Sequence, residues 1–486
     1  MERTRTLAAL GLTARGGREA TVTGLAVDSR QVKDGYLFAA LPGSTAHGAE
    51  FIPYALRMGA GAILTDAAGA VHVPKDVPLV VSEDPRAALA GAAALWFGAQ
   101  PRVMAAVTGT NGKTSVSTFL RQIWQLLGHA AINIGTTGVE GAWTAPSPHT
   151  TPEPITLHRL LAAATEAGVT HAAMEASSHG LDQRRLDGVH LKAAGFTNFT
   201  QDHLDYHGTF DAYFDAKAGL FTRLLPEDGV AVVNMNDPRG ADIARLTAER
   251  GIATMGVGRA GDLRIVGQRF DATGQDLRLE WKGIAHQVRL NLIGGFQAEN
   301  VALAAGLAIG CGANARDVFD VLPDLSGVRG RMQLAATRRN GAAVYVDYAH
   351  TPDAIETALK ALRPHVMGRI VIVFGAGGDR DTGKRPLMGA AAAANADVLY
   401  VTDDNPRSED PASIRAAIMA SCPDANEVGD RAEAILRGVD ALHAGDALLI
   451  AGKGHESGQV IKGDVFPFDD VEQASVAVAA LDGMIR

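Results

Sequence analysis

Cysteine, aromatic side chains and long apolar runs are all scarce in this chain of 486 residues. Its two cysteines, Cys311 and Cys422, form no C-x-x-C pair, which argues against a disulfide framework and a zinc site. The sequence has no run of about 18 apolar residues, and its N-terminus has no sustained hydrophobic region. We therefore expect no membrane span and no signal peptide, and a cytoplasmic location.

An excess of basic charge is also missing. The chain has 45 Lys and Arg against 54 Asp and Glu, a formal net charge of −9. This acidic balance argues against nucleic acid or an anionic membrane as a partner. The hydrophobic content of 47% is ordinary for a globular protein, and the length predicts about three domains.

The most informative segment that is present is a glycine loop, TGTNGKTS, between an apolar β-type run (103–107) and a helical apolar pattern (116–127). The loop is shorter than the standard G-x-x-x-x-G-K-[ST] pattern. Its glycines let backbone N–H groups face phosphate oxygens, with the positive end of the helix dipole behind them. A lysine then meets the β- and γ-phosphates, and a threonine hydroxyl binds Mg²⁺. The loop predicts an ATP site made of Gly109, Thr110, Asn111, Gly112, Lys113, Thr114 and Ser115.

Two further candidates follow apolar strands of the middle region. Glu175 ends one strand, and His203 follows another. A carboxylate and an imidazole at neighbouring strand ends, together with Thr114, are suited to holding Mg²⁺ at the phosphates. Taken alone, Glu175 is also compatible with a helix cap or a surface acid, and His203 with an ordinary loop histidine.

Lys217 interrupts the apolar pattern of its predicted helix. It occupies a position on the apolar stripe of a helix that also carries Tyr213, Leu220 and Phe221. One interpretation is snorkelling, in which the ammonium extends past the helix edge to water. The other is that burial favours the neutral amine, which takes up CO₂ to form a carbamate, an oxygen ligand suited to Mg²⁺.

Strands alternate with helices along most of the chain, which predicts an α/β protein. We expect an N-terminal domain over 1–100, a central P-loop mononucleotide-binding domain over 101–328, and a C-terminal Rossmann-like doubly wound domain over 329–486. Within the central domain, residues 252–292 predict a more irregular β-rich stretch.

Ordered sequence blocks extend beyond the glycine loop: DSRQVKDGYLFAALPG, TGTNGKTS, HTTP, EASSHGLDQRR, FTNFTQDHLDYHG, AYFDAKAGLF, GVRGRM, VDYAHTPD, GAGGDRDTGKRP, DDNPR and AGKGHE. Together they resemble the Mur ligase family, across almost the whole chain. The resemblance is strongest to the branch that adds meso-2,6-diaminopimelate to UDP-N-acetylmuramoyl-L-alanyl-D-glutamate. It implies a monomeric, ATP- and Mg²⁺-dependent ligase with an acyl-phosphate intermediate. It also implies a role in peptidoglycan synthesis, and so in cell wall biogenesis, cell shape and cell division.

The resemblance also implies residue roles. The uridine nucleotide would be held by Val27, Ser29, Ser44, Thr45 and Ala46. The muramoyl dipeptide would be held by Thr150, Thr151, Ser177, Gln183 and Arg185. Positions near the ATP nucleotide would be Asn300, Arg331 and Asp347. Lys217 matches the family's carbamylated lysine, and Thr114, Glu175 and His203 would be the other Mg²⁺ ligands. One departure is Gln297, where the family commonly has asparagine.

By the same resemblance, the amino-acid site would comprise Arg380, Asp404, Asn405, Pro406, Arg407, Gly452 and Glu456. Diaminopimelate differs from lysine by a distal carboxylate, which a guanidinium binds in a bidentate way. Arg407 is the candidate for that contact. Asp404 and Glu456 can accept from the ammonium beside it.

Other interpretations remain open at this stage. A lysine-adding muramoyl ligase, a folylpolyglutamate synthetase or a cyanophycin synthetase would share the architecture. The DSR and GYLFAALPG blocks favour a UDP-sugar substrate, and the DNPR block favours diaminopimelate. A non-catalytic ATP-binding scaffold would be expected to lack Lys113, Glu175, His203 or Lys217, and all of these are present. A mechanical P-loop ATPase would need a partner-coupling surface, of which the sequence has no clear sign.

Overall fold

The computed structural model describes residues 3–43, 46–147 and 149–483, without the side chain of Asp205. The chain forms two compact units. The first unit comprises residues 1–257 and 303–318, and the second comprises residues 258–302 and 319–486. The predicted site residues Ser44 and Thr45 lie outside the described residues. Within the described ranges, no helix combines the length and the apolar character that a membrane crossing requires.

The first unit begins with a small sheet of four parallel strands in the order β3-β4-β5-β6. Asp84 accepts a hydrogen bond from the Ala87 N–H and caps the long helix that follows this sheet. The elements are β1 (Arg5–Thr6), β2 (Thr21–Val22), β3 (Gly24–Ala26), β4 (Tyr36–Ala39), α1 (Ile52–Arg57), β5 (Ala62–Thr65), β6 (Leu79–Val81) and α2 (Pro85–Phe97).

The larger sheet of the first unit has the strand order β13-β12-β11-β7-β10-β8-β9. Its strands are parallel except for the edge strand β9. The strands are β7 (Val103–Thr108), β8 (Ala131–Gly135), β9 (Gly138–Gly141), β10 (His171–Glu175), β11 (Ala193–Phe196), β12 (Val230–Asn234) and β13 (Ala253–Gly258). The helices are α3 (Lys113–Leu126), α4 (Pro154–Glu166), α5 (Ser178–Asp182), α6 (Leu204–His207), α7 (Phe210–Gly219) and α8 (Gly240–Glu249).

The register of this sheet places chemically important residues at one edge. Glu175 pairs with Val107, and Phe196 pairs with Thr108, so β10, β7 and β11 end side by side. The glycine loop leaves β7 at this edge. The carboxyl ends of parallel strands are where open α/β sheets bind ligands.

The second unit begins with an antiparallel meander, which is the regular structure behind the predicted irregular β-rich stretch. Its strands are β14 (Leu263–Asp271), β15 (Gly274–Trp281) and β16 (Ile284–Leu290). The helices that follow are α9 (Gln297–Gly310), which continues into the first unit, and α10 (Ala315–Val321).

The rest of the second unit is a six-stranded sheet in the order β17-β18-β22-β19-β20-β21, parallel except for β17. The strands of this sheet are β17 (Gln333–Thr337), β18 (Ala343–Asp347), β19 (Ile370–Phe374), β20 (Val398–Val401), β21 (Asn426–Glu427) and β22 (Ala447–Ala451). The helices are α11 (Pro352–Leu362), α12 (Lys384–Asn395), α13 (Pro411–Met419), α14 (Arg431–Asp440) and α15 (Asp470–Leu481). The strands β23 (Gly458–Ile461) and β24 (Asp464–Pro467) form a separate antiparallel hairpin.

Helices cover both faces of this six-stranded sheet. Ile370 and Ile372 of β19 belong to a core shared with α11, α12 and α13, whereas Val371 and Val373 belong to a core shared with α14 and α15. Alternate residues of a strand point to opposite faces, so both faces are buried. The predicted doubly wound architecture is therefore present.

Candidate active site

Two glycines of the loop are required by the backbone. Gly109 has φ +143° and Gly112 has φ +85°, and Gly112 caps the N-terminus of α3. A Cβ atom on Gly109 would lie 1.8 Å from the hydroxyl oxygen of Thr197. The same hydroxyl donates to the Asn111 carbonyl at 2.6 Å, and the Thr110 N–H donates to the Asn198 carbonyl at 2.8 Å. The segment after β11 thus holds the loop open at the helix N-terminus.

The Lys113 ammonium folds back over this loop. Its Nζ donates to the carbonyls of Gly109 at 2.9 Å and Thr110 at 2.8 Å. The next residues, Thr114 and Ser115, are buried in the first turn of α3. The structure therefore brings together the seven residues that were predicted to bind ATP.

Glu175 is a buried carboxylate at the end of β10, with 1% of its surface exposed. Its Oε2 accepts from the Thr114 hydroxyl at 3.0 Å and from the Thr136 hydroxyl at 3.2 Å, and its Oε1 accepts from the Thr136 N–H at 2.9 Å. Glu175 is therefore neither a surface acid nor a helix cap, since Ser177 caps the following helix. Thr136, which sequence reasoning missed, orients both carboxylate oxygens.

Lys217 lies on the other side of the glycine loop and is 1% exposed. Its Nζ donates to the Gly109 carbonyl at 2.7 Å and lies 4.4 Å from the centroid of the Tyr213 ring. Burial, reinforced by the positive charge of Lys113, holds the pKa of this amine well below its usual value. The side chain does not snorkel to solvent, so the interpretation of Lys217 as a buried amine is the one that fits.

His203 occupies a more open position. It has a left-handed backbone, with φ +51°, and its side chain is 46% exposed. Its Nε2 lies 3.4 Å from Asp202 Oδ2, and its ring meets that of His179 edge-on at 4.8 Å. Partial desolvation lowers the pKa of His203 to about 4; the charge of Asp202 opposes this shift, and the charge of Lys113 adds to it. The imidazole is therefore neutral at pH 7, near both Lys113 and Lys217.

The residues predicted for the muramoyl dipeptide form one polar cluster beside Glu175. The Thr151 hydroxyl lies 3.0 Å from the Ser177 hydroxyl, and the Arg185 Nη1 donates to the Thr151 carbonyl at 2.8 Å. Arg185 Nη2 also donates to the Gln183 side chain at 2.8 Å. The Thr150 hydroxyl lies 3.1 Å from that of Thr136. Thr136 thus connects this cluster to the carboxylate.

The predicted uridine site lies at the ends of the small N-terminal strands. Val27 follows β3, and Ser29 opens a short 3₁₀ turn capped by Asp28, which accepts from the Arg30 N–H at 2.9 Å. The Ala46 carbonyl accepts from the Gly43 N–H at 3.1 Å, and His47 Nδ1 accepts from the Ala49 N–H at 3.0 Å. These contacts shape the turn on which Ala46 lies.

In the second unit, Asp347 ends β18 and its carboxylate accepts from the N–H groups of Met332 at 2.7 Å and Ala349 at 2.8 Å. Burial raises the pKa of Asp347, and the nearby charge of Arg331 opposes that rise. The Arg331 guanidinium also lies 4.5 Å from the centroid of the Tyr348 ring. Gln297, the departure from the family pattern, is buried and accepts from Asn300 Nδ2 at 3.1 Å.

The predicted amino-acid site gathers around the segment after β20. Asn405 Nδ2 donates to Glu456 Oε2 at 2.9 Å. The Oδ2 atom of Asp404 is buried and has no hydrogen-bond partner among the described residues. Gly452 borders that atom, since a Cβ there would lie 2.5 Å from it. An unpaired buried carboxylate oxygen is an acceptor suited to a ligand's ammonium.

The two predicted guanidinium groups lie on different loops, Arg407 on this same segment after β20 and Arg380 on the loop after β19. Arg407, after Pro406, has φ +51°, and its Nη1 donates to the Gly378 carbonyl at 2.6 Å. Arg380 follows Gly378 on the loop after β19 and is exposed, with Nη1 3.4 Å from the Asp379 carbonyl. The structure therefore places the two arginines on loops in direct contact.

Comparisons with known proteins decide the family. Three family models match successive segments: "Mur ligase family, catalytic domain" over residues 21–100, "Mur ligase middle domain" over 107–308, and "Mur ligase, glutamate ligase domain" over 330–454. The chain belongs to the Mur ligase family. The predicted resemblance and the three-domain α/β fold are confirmed.

Individual relatives are similar along nearly their whole length. UDP-N-acetylmuramoyl-L-alanyl-D-glutamate–2,6-diaminopimelate ligase from Bradyrhizobium diazoefficiens is 51% identical, covering 94% of this chain and 95% of that protein. The protein of the same name from Caulobacter vibrioides is 50% identical, covering 95% of this chain and 96% of its own. A solved structure of a ligase of this name matches with a TM-score of 0.72 and 33% identity, covering 99% of both chains.

Proposed function

We propose that this chain joins meso-2,6-diaminopimelate to UDP-N-acetylmuramoyl-L-alanyl-D-glutamate, converting ATP to ADP and phosphate. The observation that carries the proposal is about 50% identity, over about 95% of the chain, to ligases named for this reaction. The DNPR segment supports diaminopimelate over lysine, because it contains Arg407, a guanidinium suited to the distal carboxylate that lysine lacks. The reaction belongs to the synthesis of peptidoglycan precursors.

ATP is bound at the glycine loop, where backbone N–H groups and the α3 dipole meet the phosphates. Lys113 exchanges its two loop carbonyls for phosphate oxygens. An oxygen of the peptide carboxylate attacks the γ-phosphorus, and ADP leaves. The neutral diaminopimelate amine then attacks the acyl carbon to form a tetrahedral intermediate, which loses phosphate and the amine's proton to leave the amide. Positive charge around two reacting anions offsets their repulsion.

The residues at the loop fit Mg²⁺. The Thr114 hydroxyl and the Glu175 carboxylate lie 3.0 Å apart and offer the oxygen ligands that this ion prefers. Phosphate oxygens of ATP would complete the coordination. When bound, the ion neutralises phosphate charge. Neutral His203 is the proposed additional ligand.

Lys217 is proposed to carry a carbamate. Its low amine pKa supplies the neutral nucleophile, which bonds to the carbon of CO₂ and releases a proton. The product is an oxygen ligand in place of an ammonium. The carbonyl of Gly109, 2.7 Å from Nζ, accepts from the remaining N–H.

The polar cluster of Thr150, Thr151, Ser177, Gln183 and Arg185 is proposed to hold the muramoyl dipeptide. Thr136 lies between this cluster and Glu175. Arg407 is proposed to bind the distal carboxylate of diaminopimelate, with Arg380 on the adjoining loop. Asn300, Arg331 and Asp347 are proposed to bind the ATP nucleoside. The nucleotide of the muramoyl substrate is assigned to Val27, Ser29, Ser44, Thr45 and Ala46.

We also propose domain boundaries at 100/101 and 328/329. The three family-model segments fall within the domains that these boundaries define. The protein is proposed to be a cytoplasmic monomer, with no nucleic-acid or membrane partner.

Phosphate release tests the proposal. With ATP and UDP-N-acetylmuramoyl-L-alanyl-D-glutamate present, meso-diaminopimelate should drive release of phosphate, and L-lysine should not. Mass spectrometry should detect the tripeptide product. Turnover with lysine alone would identify a lysine-adding ligase. Turnover with a folate substrate and glutamate would identify a folylpolyglutamate synthetase. Phosphate release independent of both substrates would indicate a simple ATPase, and ATP binding without turnover a non-catalytic protein.

A further inference from the structure

Lys453 is a buried cation in the second unit that none of the roles above uses. Its side chain is 0% exposed, and it lies between Gly452 and Glu456 in the segment after β22. Lysine is almost never fully buried unless its ammonium is paired. The acceptors that the Lys453 ammonium contacts therefore indicate its role.

The Lys453 ammonium connects the segment after β22 to the segment after β20. Its Nζ donates to Asn405 Oδ1 at 3.2 Å, to Glu456 Oε2 at 3.3 Å and to the Gly458 carbonyl at 2.6 Å. An ammonium has three donors, and these contacts use all of them. Two of the acceptors are side chains of the proposed amino-acid site.

These contacts determine how the Asn405 amide is oriented. Asn405 Oδ1 also accepts from the Val460 N–H at 3.0 Å. Because Nζ and a backbone N–H can only donate, the amide oxygen must face both of them. The amide nitrogen then points to Glu456 Oε2 at 2.9 Å. Without Lys453, one of the two donors that fix this orientation would be lost.

The same contacts leave one carboxylate oxygen of Glu456 occupied and the other available. Oε2 is used by Lys453 and Asn405, whereas Oε1 accepts no hydrogen bond within the described part of the chain. The Glu456 side chain is 33% exposed, so that oxygen is accessible to a ligand. Arg431 lies close enough to Glu456 and to Asp404 for both charges to raise its pKa. The unpaired Asp404 oxygen therefore lies near Glu456.

We propose that Lys453 is a positioning residue of the amino-acid site. It holds Asn405 and Glu456 in the arrangement that leaves Glu456 Oε1 available to the ammonium of the incoming diamino acid. This inference rests on the proposed function.

Steady-state kinetics of Lys453→Met test it, because methionine keeps the apolar stem and removes the donors. We expect the KM for meso-diaminopimelate to rise by about 10²-fold, as for loss of a residue that orients a ligand-binding group. The KM values for ATP and for the muramoyl substrate should stay within about twofold. Lys462→Met, at an exposed lysine in the turn between β23 and β24, is the matched control and should match wild type.

A double-variant cycle separates positioning from a structural role. If Lys453 acts through Glu456, then Lys453→Met should add little to the effect of Glu456→Gln on the KM for diaminopimelate. Additive effects, or equal changes in the KM of all three substrates, would overturn the proposal. Lys453→Gln provides a second test if the Met variant is unstable, and loss of folding in both would indicate a purely structural lysine. A wild-type enzyme that does not use diaminopimelate would instead refute the proposed function.

Discussion

Replacement of Lys217 gives the sharpest test of the chemistry at the glycine loop. Lys217→Met keeps the apolar stem against Tyr213 and removes the amine that donates to the Gly109 carbonyl at 2.7 Å. Little stability should be lost. The net contribution of one such hydrogen bond is about 1 kcal/mol, and removing a desolvated amine offsets part of it.

Activity should respond far more strongly than stability. A preorganised group at developing phosphate charge contributes on the order of 10²–10³-fold in kcat, so Lys217→Met should lose at least about 10²-fold. Short-chain carboxylates should restore some activity to Lys217→Ala. Lys217→Glu should retain more activity than Lys217→Ala, because glutamate supplies oxygen ligands at shorter reach.

The carbamate itself can be measured without turnover. After equilibration with ¹³C-bicarbonate, wild-type protein should show a carbamate carbon resonance that Lys217→Met lacks. Lys192→Met, at an exposed lysine of the same unit, should keep both the resonance and the activity. Full activity of Lys217→Met, or a wild-type enzyme without the resonance, would refute the reasoning.

Three further outcomes are expected. Arg407→Ala should lower kcat/KM for meso-diaminopimelate by about 10²–10³-fold and should affect the residual activity with lysine much less. Parallel assays with the two amino acids measure both effects, and equal losses would indicate a structural role. Thr136→Val removes a hydroxyl donor to Glu175. It should lower kcat by about 10–100-fold and raise the Mg²⁺ concentration needed for the half-maximal rate. An unchanged Mg²⁺ titration would contradict this. Burial lowers the pKa of His158 from about 6.5 to about 4 in the folded protein. Between these two pH values the unfolded chain binds more protons than the folded chain does. The free energy of unfolding should therefore fall by about 3 kcal/mol as the pH drops from about 6.5 to about 4. Denaturant unfolding of His158→Gln should show a flatter pH dependence, and an unchanged slope would exclude His158 as its source.

Much of the geometry of the glycine loop could be predicted because its signals are local. The glycine loop joins a strand to a helix in contiguous sequence, and the structure shows why Gly109 and Gly112 need their backbone freedom. Periodicity identified Lys217 as out of pattern, and the structure shows it buried. Glu175 was found because it ends a strand, although pattern alone could not distinguish it from a surface acid.

The residues that sequence reasoning missed act through contacts between distant segments. Thr136 follows β8 and meets Glu175, a residue of a neighbouring strand, so its role depends on strand order. Lys453 lies among glycines after β22, where no periodicity marks a residue as buried. The antiparallel meander at β14–β16 was predicted only as irregular β structure, because its pairing is not visible in strand propensity.

Three buried cations of this chain show how surroundings decide function. Arg431 forms a pair of hydrogen bonds with Asp470, at 2.8 and 2.7 Å, and is held as a permanent charge within the C-terminal sheet's core. Lys453 donates to the carboxylate of Glu456 and the amide of Asn405, contacts that suit a residue holding those two side chains in place. Lys217 has only a carbonyl as its hydrogen-bond acceptor among the described residues, beside an aromatic ring, and Lys113 is close enough to disfavour its charge. Since a carbonyl does not neutralise an ammonium, burial lowers the pKa of Lys217, which favours the neutral amine. In the proposed reaction, CO₂ would convert this amine to an anionic carbamate beside the glycine loop, and for that reason we propose the metal-ligand role for Lys217 and for neither of the other two cations.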